Sequence, residues 1–326
     1  MSQTATSAPA AVAMPGSPRF AFVDIARGIA LLAMFVYHFA YDLSFFRLIE
    51  TDIVFEPGWR LFARGIAGSF LVIVGFSLVL ATRKGLNRPA YLKRLAMLAG
   101  AAALVSLGTW FAMPDNFIFF GILHHIALAS VLALPFLRLP LVAVALAAVL
   151  AFALPGLVAH PLLDAPWLSW LGFSQAPLRT ADFVPVFPWF GCVLSGIVLA
   201  RLLLPRLAGS AFATWRPTAA PARIIAWGGR HSLLVYLVHQ PVFIGALTLA
   251  TLVVPPPSPE ERAFRAECQR SCAGPNLSMQ VCRAVCACTV DGLKREQLWQ
   301  KALDEQLSPE ESARMTALAQ SCLRER

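Results

Sequence analysis

Seven runs of mostly apolar residues fill the chain between residues 24 and 254, at roughly Asp24–Phe45, Phe62–Thr82, Leu92–Phe111, Phe117–Phe136, Pro140–Val158, Val184–Leu204 and Ser232–Val254. A bilayer core takes about 20 such residues per helix. Hydrocarbon offers no partner for backbone N–H and C=O groups, so runs of this length enter a membrane as helices. The expectation is an all-α polytopic membrane helix bundle of about seven spans. A hydrophobic fraction of 58%, a charged fraction of 14% and a mean hydropathy of +0.65 exclude a soluble globule.

The connections give the bundle a direction. Arg83, Lys84, Arg88, Lys93 and Arg94 crowd the second connection, Arg138 sits in the fourth, and Arg201, Arg206, Arg216, Arg223 and Arg230 follow the sixth span. The intervening loops carry Glu50, Asp52 and Glu56, then Asp115, then Asp164 and Asp182. Basic loops stay in the cytoplasm, which puts the N-terminus inside and, after seven spans, the C-terminus outside. The segment from His160 to Pro185, with Trp167 and Trp170, is expected along the outer interface. The net charge of +9 is dispersed over short loops and is not interleaved with aromatic residues on a polar face, so membrane lipid and not nucleic acid is the expected partner.

The flanks are different kinds of chain. Residues 1–18 are rich in Ala, Ser, Thr and Pro and lack a basic n-region and a long apolar core. They read as a disordered cytoplasmic tail and not as a cleaved signal. Residues 19–254 are the membrane domain, residues 255–263 a stiff linker opened by Pro255-Pro256-Pro257, and residues 264–326 a cysteine-rich helical module. Ser258-Pro-Glu-Glu261 and Ser308-Pro-Glu-Glu311 are capping boxes with proline at the first helical position. Each serine is followed 14 residues later by a cysteine, Cys272 and Cys322, a weak internal repeat.

Six of the seven cysteines lie in that module: Cys268, Cys272, Cys282, Cys286, Cys288 and Cys322. Cys268/Cys272 and Cys282/Cys286 are each four apart and share a helix face. An antiparallel hairpin joins Cys268 to Cys286 and Cys272 to Cys282, leaving Cys288 for Cys322. Sequence alone does not choose among the fifteen pairings that six cysteines allow. An even count suits an oxidising compartment, in agreement with the outside placement. A zinc site is the rival, although the module has no CxxC pair and no histidine, and no metal is expected. Cys192 reads as a small core residue.

The first span carries the chemistry. With Asp24 at zero and about 100° per residue, Arg27 falls at about 300°, His38 at about 320° and Asp42 at about 0°. Four ionisable groups therefore share one stripe of an otherwise apolar helix. Such groups face a bundle interior or a wet cavity and are functional candidates, against the plainer reading of buried polar groups that satisfy one another. His38 has the intrinsic pKa of a general base, and Asp42, one turn on, is placed to orient its ring. His124 enters the fourth span at a similar depth from the outer face. Tyr236 and His239-Gln240-Pro241 lie in the seventh span, Tyr41 in the first, and Arg60 and Arg64 enter the second from outside. With no hydrolase elbow, Walker loop or HExxH, proton removal from a hydroxyl or amine is the simplest chemistry available. A basic mouth of Arg83, Lys84, Arg88 and Arg94 suits a phosphorylated donor such as an acyl-coenzyme A, or serves only as an orientation signal.

Arg19…Asp24-Ile-Ala-Arg27-Gly28…His38 resembles the opening of the integral-membrane acyltransferase superfamily. Tyr37-His38-Phe-Ala-Tyr41-Asp42-Leu43 with Gly68-Ser-Phe-Leu-Val-Ile-Val-Gly75, Phe119-Phe-Gly-Ile-Leu-His124, and Gly229-Arg-His-Ser232-Leu-Leu-Val-Tyr236-Leu-Val-His239-Gln-Pro241 resemble its branch typed by the heparan-alpha-glucosaminide N-acetyltransferase catalytic domain, in the bacterial form. The similarity covers about residues 19–250. It implies a bacterial inner-membrane acyltransferase that moves an acyl group, usually acetyl from acetyl-CoA, to a sugar or other envelope acceptor on oxygen or nitrogen. The C-terminal module lies outside the resemblance, and its expected place in the periplasm rests on the loop charges and the cysteine count.

Carried residue by residue, the resemblance makes His38 the catalytic residue. The other roles are read from the residues themselves: His38 as general base oriented by Asp42, His124 as acceptor contact or second proton carrier, Arg27 holding Asp24 or the donor, Arg83, Lys84 and Arg94 near the donor phosphates, and Arg64, Tyr41, Tyr236 and His239 toward the acceptor. The superfamily's arginine pair at the third span is represented by Lys93-Arg94. The animal lysosomal enzyme's catalytic histidine lies after the first span, and this chain has no histidine between residues 39 and 123. Heparan sulfate is therefore not an implied substrate. A proton-coupled transporter or flippase that uses the same buried charges is the alternative. A bundle that only anchors the cysteine module is a third reading, in which a second copy of the chain or an extracytoplasmic protein docks on the module.

Overall fold

A computed structural model of the protein describes residues 20–49, 51–158, 160–175, 178–207, 210–272, 274 and 277–324. The tail expected to be disordered, Arg19 of the opening motif and Glu50 lie outside the described residues. Every regular element among the described residues is helical. The helices are α1 (Ala21–Phe45), α2 (Pro57–Thr82), α3 (Arg88–Ala112), α4 (Ile122–Leu132), α5 (Leu141–Leu157), α6 (Val186–Leu207), α7 (Ala211–Thr214), α8 (Ala220–Arg230) and α9 (Ser232–Val253), followed by α10 (Pro259–Cys272), α11 (Met279–Arg295), α12 (Trp299–Leu303) and α13 (Pro309–Arg324). Contacts divide the chain into two units, residues 1–42 with 51–246 and residues 43–50 with 247–326.

Five helices, α1, α2, α3, α6 and α9, are long and apolar enough to cross a membrane. The other two expected spans are shorter: α5 has 17 residues and α4 only 11. The expected span Phe117–Phe136 is therefore corrected. Its first residues run extended, with Phe120 bridged to Phe183. Their polar groups are met by α3 and by the segment before α6: Ile118 N–H donates to Thr109 Oγ1 (3.0 Å), Ser106 Oγ donates to the Ile118 carbonyl, and Ala181 N–H donates to the Asn116 carbonyl (2.9 Å). Irregular backbone at membrane depth is tolerated where protein supplies the partners in this way. The segment expected along the outer interface forms two short 3-10 turns, Pro161–Asp164 and Pro166–Leu171.

The core of the first unit forms where α6 packs on α2 and α5, around Leu71, Val193, Leu194 and Ile197. Without a hydrophobic drive between helices in lipid, close approach at small residues does this work. A Cβ added at Gly75 would run into the Val193 carbonyl, and one added at Gly196 into the Val72 carbonyl, so the two glycines let α2 and α6 touch backbone to backbone. Gly75→Leu is expected to destabilise the purified protein by about 3 kcal/mol, because the obstacle is backbone and cannot rotate aside. An unchanged unfolding midpoint in detergent would contradict this.

Two elements were not visible as such in the sequence. Helix α8 interrupts the long basic connection after α6. It turns Ile224 (70% exposed) and Trp227 (54%) outward, while Gly229 meets the Asp24 carbonyl of α1. Arg201, read as an orientation charge, donates to the carbonyls of Phe136, Leu137 and Leu139 and clamps the turn between α4 and α5.

In the second unit α10, α11 and α13 are stapled by Cys268–Cys286, Cys272–Cys282 and Cys288–Cys322, the hairpin pairing that the spacing suggested. Cys282, Cys286, Val290 and Leu293 are fully buried there. Ser308 and Glu311 form a complete capping box, with Glu311 N–H on Ser308 Oγ (3.2 Å) and Ser308 N–H on Glu311 Oε2 (2.8 Å). At the other box only Glu261 N–H to Ser258 Oγ is made (3.2 Å). The Glu261 carboxylate turns instead to Arg265 and Lys294, each at 2.6 Å.

Candidate functional site

The polar stripe of α1 divides into two ends. At the first, Asp24 pairs with Arg27 (3.5 Å) and with Arg230 of α8 (3.8 Å), and Arg27 donates to Ser77 Oγ of α2 (2.7 Å). These groups satisfy one another and tie three helices together. Arg27 also lies within electrostatic reach of Arg94. Arg94 lines a cavity of about 190 Å³ between α2, α3 and α4, with Thr82, Asn87, Tyr91 and Ser130 as its other polar residues. Tyr91 is held there by its hydroxyl, which donates to the Ser130 carbonyl (3.1 Å). Arg83 and Lys84 are exposed on the turn that follows α2 and do not line this cavity.

At the second end α1 faces α9. The His38 and His239 rings are 5.0 Å apart between centroids. Phe35 stacks on His239 at 5.6 Å, Phe243 meets it edge-on at 5.9 Å, and Tyr236 lies at 5.6 Å. Tyr37 packs against both His38 (5.6 Å) and Trp59 of α2 (6.3 Å). Asp42, 2% exposed, accepts a hydrogen bond from Gln240 Nε2 at 2.7 Å. Its expected contact was His38, and the structure gives that place to the neighbour of His239. His239 Nδ1 faces the Tyr236 carbonyl. A carbonyl only accepts, so Nδ1 carries the hydrogen and the lone pair of the neutral ring is on Nε2. Among the described residues of α1 and α9, His239 Nε2, Asp42 Oδ2 and Gln240 Oε1 are buried without a hydrogen-bond partner, as is His125 Nε2 on α4.

The remaining candidates are dispersed. His124 does not join the His38 pair. Its Nε2 is 3.1 Å from Ser106 Oγ of α3, and its Nδ1 accepts from Gly121 N–H at 3.2 Å, so it caps its own helix. The adjacent His125, 1% exposed, has Nδ1 at 3.2 Å from the carbonyls of Val184 and Pro185 and is a structural tie. Arg64 is exposed on α2, Tyr41 is half-buried on α1, and Tyr236 is half-buried beside His239.

One residue was missed. Asp182, read only as a loop charge, accepts from Ile122 N–H at the start of α4 (2.8 Å) and lies within electrostatic reach of Tyr37 and Tyr236. Burial pushes its carboxyl up to about 6 against the opposing pull of the Ile122 N–H. Its only sequence signal was isolation beside an aromatic run. No group of three or more His, Cys, Asp or Glu is placed to hold a metal ion among the described residues.

In comparison with known families, residues 19–241 match the family described as heparan-alpha-glucosaminide N-acetyltransferase, catalytic. No curated protein and no solved structure matches the chain.

Proposed function

Because the chain belongs to the heparan-alpha-glucosaminide N-acetyltransferase catalytic family, we propose that it transfers an acetyl group from acetyl-CoA to a sugar hydroxyl or amine of the cell envelope. The observation that carries this reading is the His38–His239 pair at one end of α1 and the cavity lined by Arg94 near the other. Arg27 and His38 are about 16 Å apart along the helix at 1.5 Å per residue, a separation that an extended pantetheine arm bridges. The 190 Å³ cavity takes part of the donor and not a whole nucleotide. Arg94 meets its phosphates, with Arg83 and Lys84 as further positive charges on the exposed turn after α2. The chain lies in the bacterial inner membrane, with its N-terminus in the cytoplasm and its disulfide module in the periplasm.

In this mechanism His38 removes the acceptor proton as the acceptor oxygen or nitrogen attacks the thioester carbonyl. The C–S bond breaks, and the proton ends on the departing thiolate. Asp42 supplies negative charge one turn away from the imidazolium that forms, held in place by Gln240. Tyr37, Tyr236 and Asp182 frame the acceptor, and a sugar fits their donors and acceptors. Arg64 and Tyr41 lie toward the same outer end.

The test is coenzyme A release by purified protein in detergent with candidate sugars. Acetyl transfer that requires both donor and sugar supports the reading. Donor-independent, pH-driven sugar movement in proteoliposomes would replace it with transport. Arg94→Ala is expected to raise KM for acetyl-CoA about tenfold with kcat little changed, the loss of one charge-assisted phosphate contact. An unchanged KM would remove Arg94 from the donor site.

A further inference from the structure

We infer that His239 is the proton-holding partner of His38, taking onto Nε2 the proton that His38 draws from the acceptor and returning it when the thiolate leaves. This rests on the acetyl-transfer reading above and adds a role that sequence assigned to substrate contact.

The argument begins with what is left over at this end of α1. His239 is 7% exposed, and its ring plane is set by Phe35, Phe243 and Tyr236. With Nδ1–H committed to the Tyr236 carbonyl, the only free function of the ring is the Nε2 lone pair. That lone pair, Asp42 Oδ2 and Gln240 Oε1 are the buried polar atoms without partners on these two helices. All three accept hydrogen bonds and none donates. Buried polar groups are rarely left unsatisfied, and here three acceptors are left over on two facing helices. A surplus made only of acceptors suits a place that receives protons or donor-rich substrates. His38 is the nearest ring, at 5.0 Å, and is more accessible than His239, so the acceptor reaches His38 first. At this end of the facing helices the other titratable groups are Tyr37, Tyr41 and Asp42 of α1 and Tyr236 of α9, with Asp182 within electrostatic reach of Tyr37 and Tyr236; Asp24 and Arg27 lie at the far end of α1 and pair with each other.

The proton balance is closed. The acceptor gives its proton to His38 and forms the bond to the acyl carbon as the C–S bond breaks. His38 passes the proton to His239 Nε2, which becomes an imidazolium with Nδ1–H still on the Tyr236 carbonyl. The proton then returns through His38 to the thiolate, and both rings end neutral.

Four variants and nitrogen-15 spectra test this. His239→Gln keeps an acceptor near the Nε2 position but carries no proton. It is expected to lose about 100-fold in kcat, with KM for acetyl-CoA unchanged and a pH–rate profile of altered shape. His239→Ala is expected to lose as much and to recover part of it with added imidazole. In nitrogen-15 spectra of histidine-labelled protein, assigned with His239→Asn, His239 is expected as the Nδ1–H form, and its titration shifts in His38→Ala. A His239→Gln turnover within about threefold of wild type, or a loss without imidazole rescue or change in pH profile, overturns the pair. If wild-type protein shows no donor-dependent turnover, the acetyl-transfer reading fails, and the spectra still decide the pair. Independent titration of the two rings rejects it, and coupled titration sustains it.

Discussion

Replacing His38 by alanine is expected to cut donor-dependent coenzyme A release by about 10²- to 10⁴-fold, the range that one positioned general base supplies. Of the histidines on the membrane helices, His38 combines access with the ring contacts that hold it: Tyr37 on one side and His239 on the other. His124 has both ring nitrogens engaged, with Ser106 and Gly121, and His125 holds Nδ1 on the Val184 and Pro185 carbonyls with its ring only 1% exposed, so neither is an accessible base. The loss should fall on kcat and leave KM for acetyl-CoA near its wild-type value, since the Arg94 cavity is lined by other helices. Removing a half-buried ring should leave the bundle folded, so an unchanged unfolding midpoint is the control that separates lost chemistry from lost structure. Asp42→Asn should cost less than His38→Ala, because Gln240 can turn its amide to meet either side chain. Wild-type turnover in His38→Ala would remove the histidine from the reaction.

The first helix was the most legible part of the chain. Four ionisable groups at helical spacing in apolar text announce a buried polar face, and the structure resolves that face into a self-satisfied end and an unsatisfied one. The pattern could not say which end was which, because satisfaction depends on partners from other helices: Ser77 and Arg230 at one end, Gln240 and His239 at the other. The Asp42 contact was misread for the same reason. Proximity at one turn is visible in sequence, whereas competition from Gln240, 198 residues away, is not. Hydropathy overextended the fourth span because Phe117–Phe120 are as apolar as a helix, and only the α3 hydroxyls and the Asn116 and Phe120 carbonyl bonds reveal an extended segment. Helix α8 was hidden by its own amphipathicity, which a hydropathy average reads as loop. In the module, by contrast, the four-residue cysteine spacing and the serine caps are short-range signals, and short-range signals carried the pairing through.

Reduction is expected to unfold the second unit as a unit. The bridges close loops of 10, 18 and 34 residues, which by chain-entropy arithmetic contribute roughly 3 kcal/mol for the smallest and nearly 4 for the largest. Because Cys272–Cys282 nests inside Cys268–Cys286, the total is somewhat below the sum, yet it still exceeds the 3–5 kcal/mol or so that so small a core supplies by itself. The buried residues of α11 make the dependence plain: two of the fully buried side chains, Cys282 and Cys286, are the bridges themselves. Its ion pairs, such as Glu261 with Lys294 and Lys301 with Glu311, each have a partly exposed partner and are weakened by solvent. Mild reduction should therefore expose all six module cysteines to thiol labelling and open the stretch from Ser258 to Arg324 to proteolysis. Cys192, unpaired on α6, should stay unlabelled until the membrane unit is itself denatured. Of single pairs, Cys288→Ser with Cys322→Ser should lower stability most, since it opens the longest loop and frees α13 from α11. A module that resists protease after full reduction would show that packing at Val285, Val290 and Leu293 holds it without covalent help.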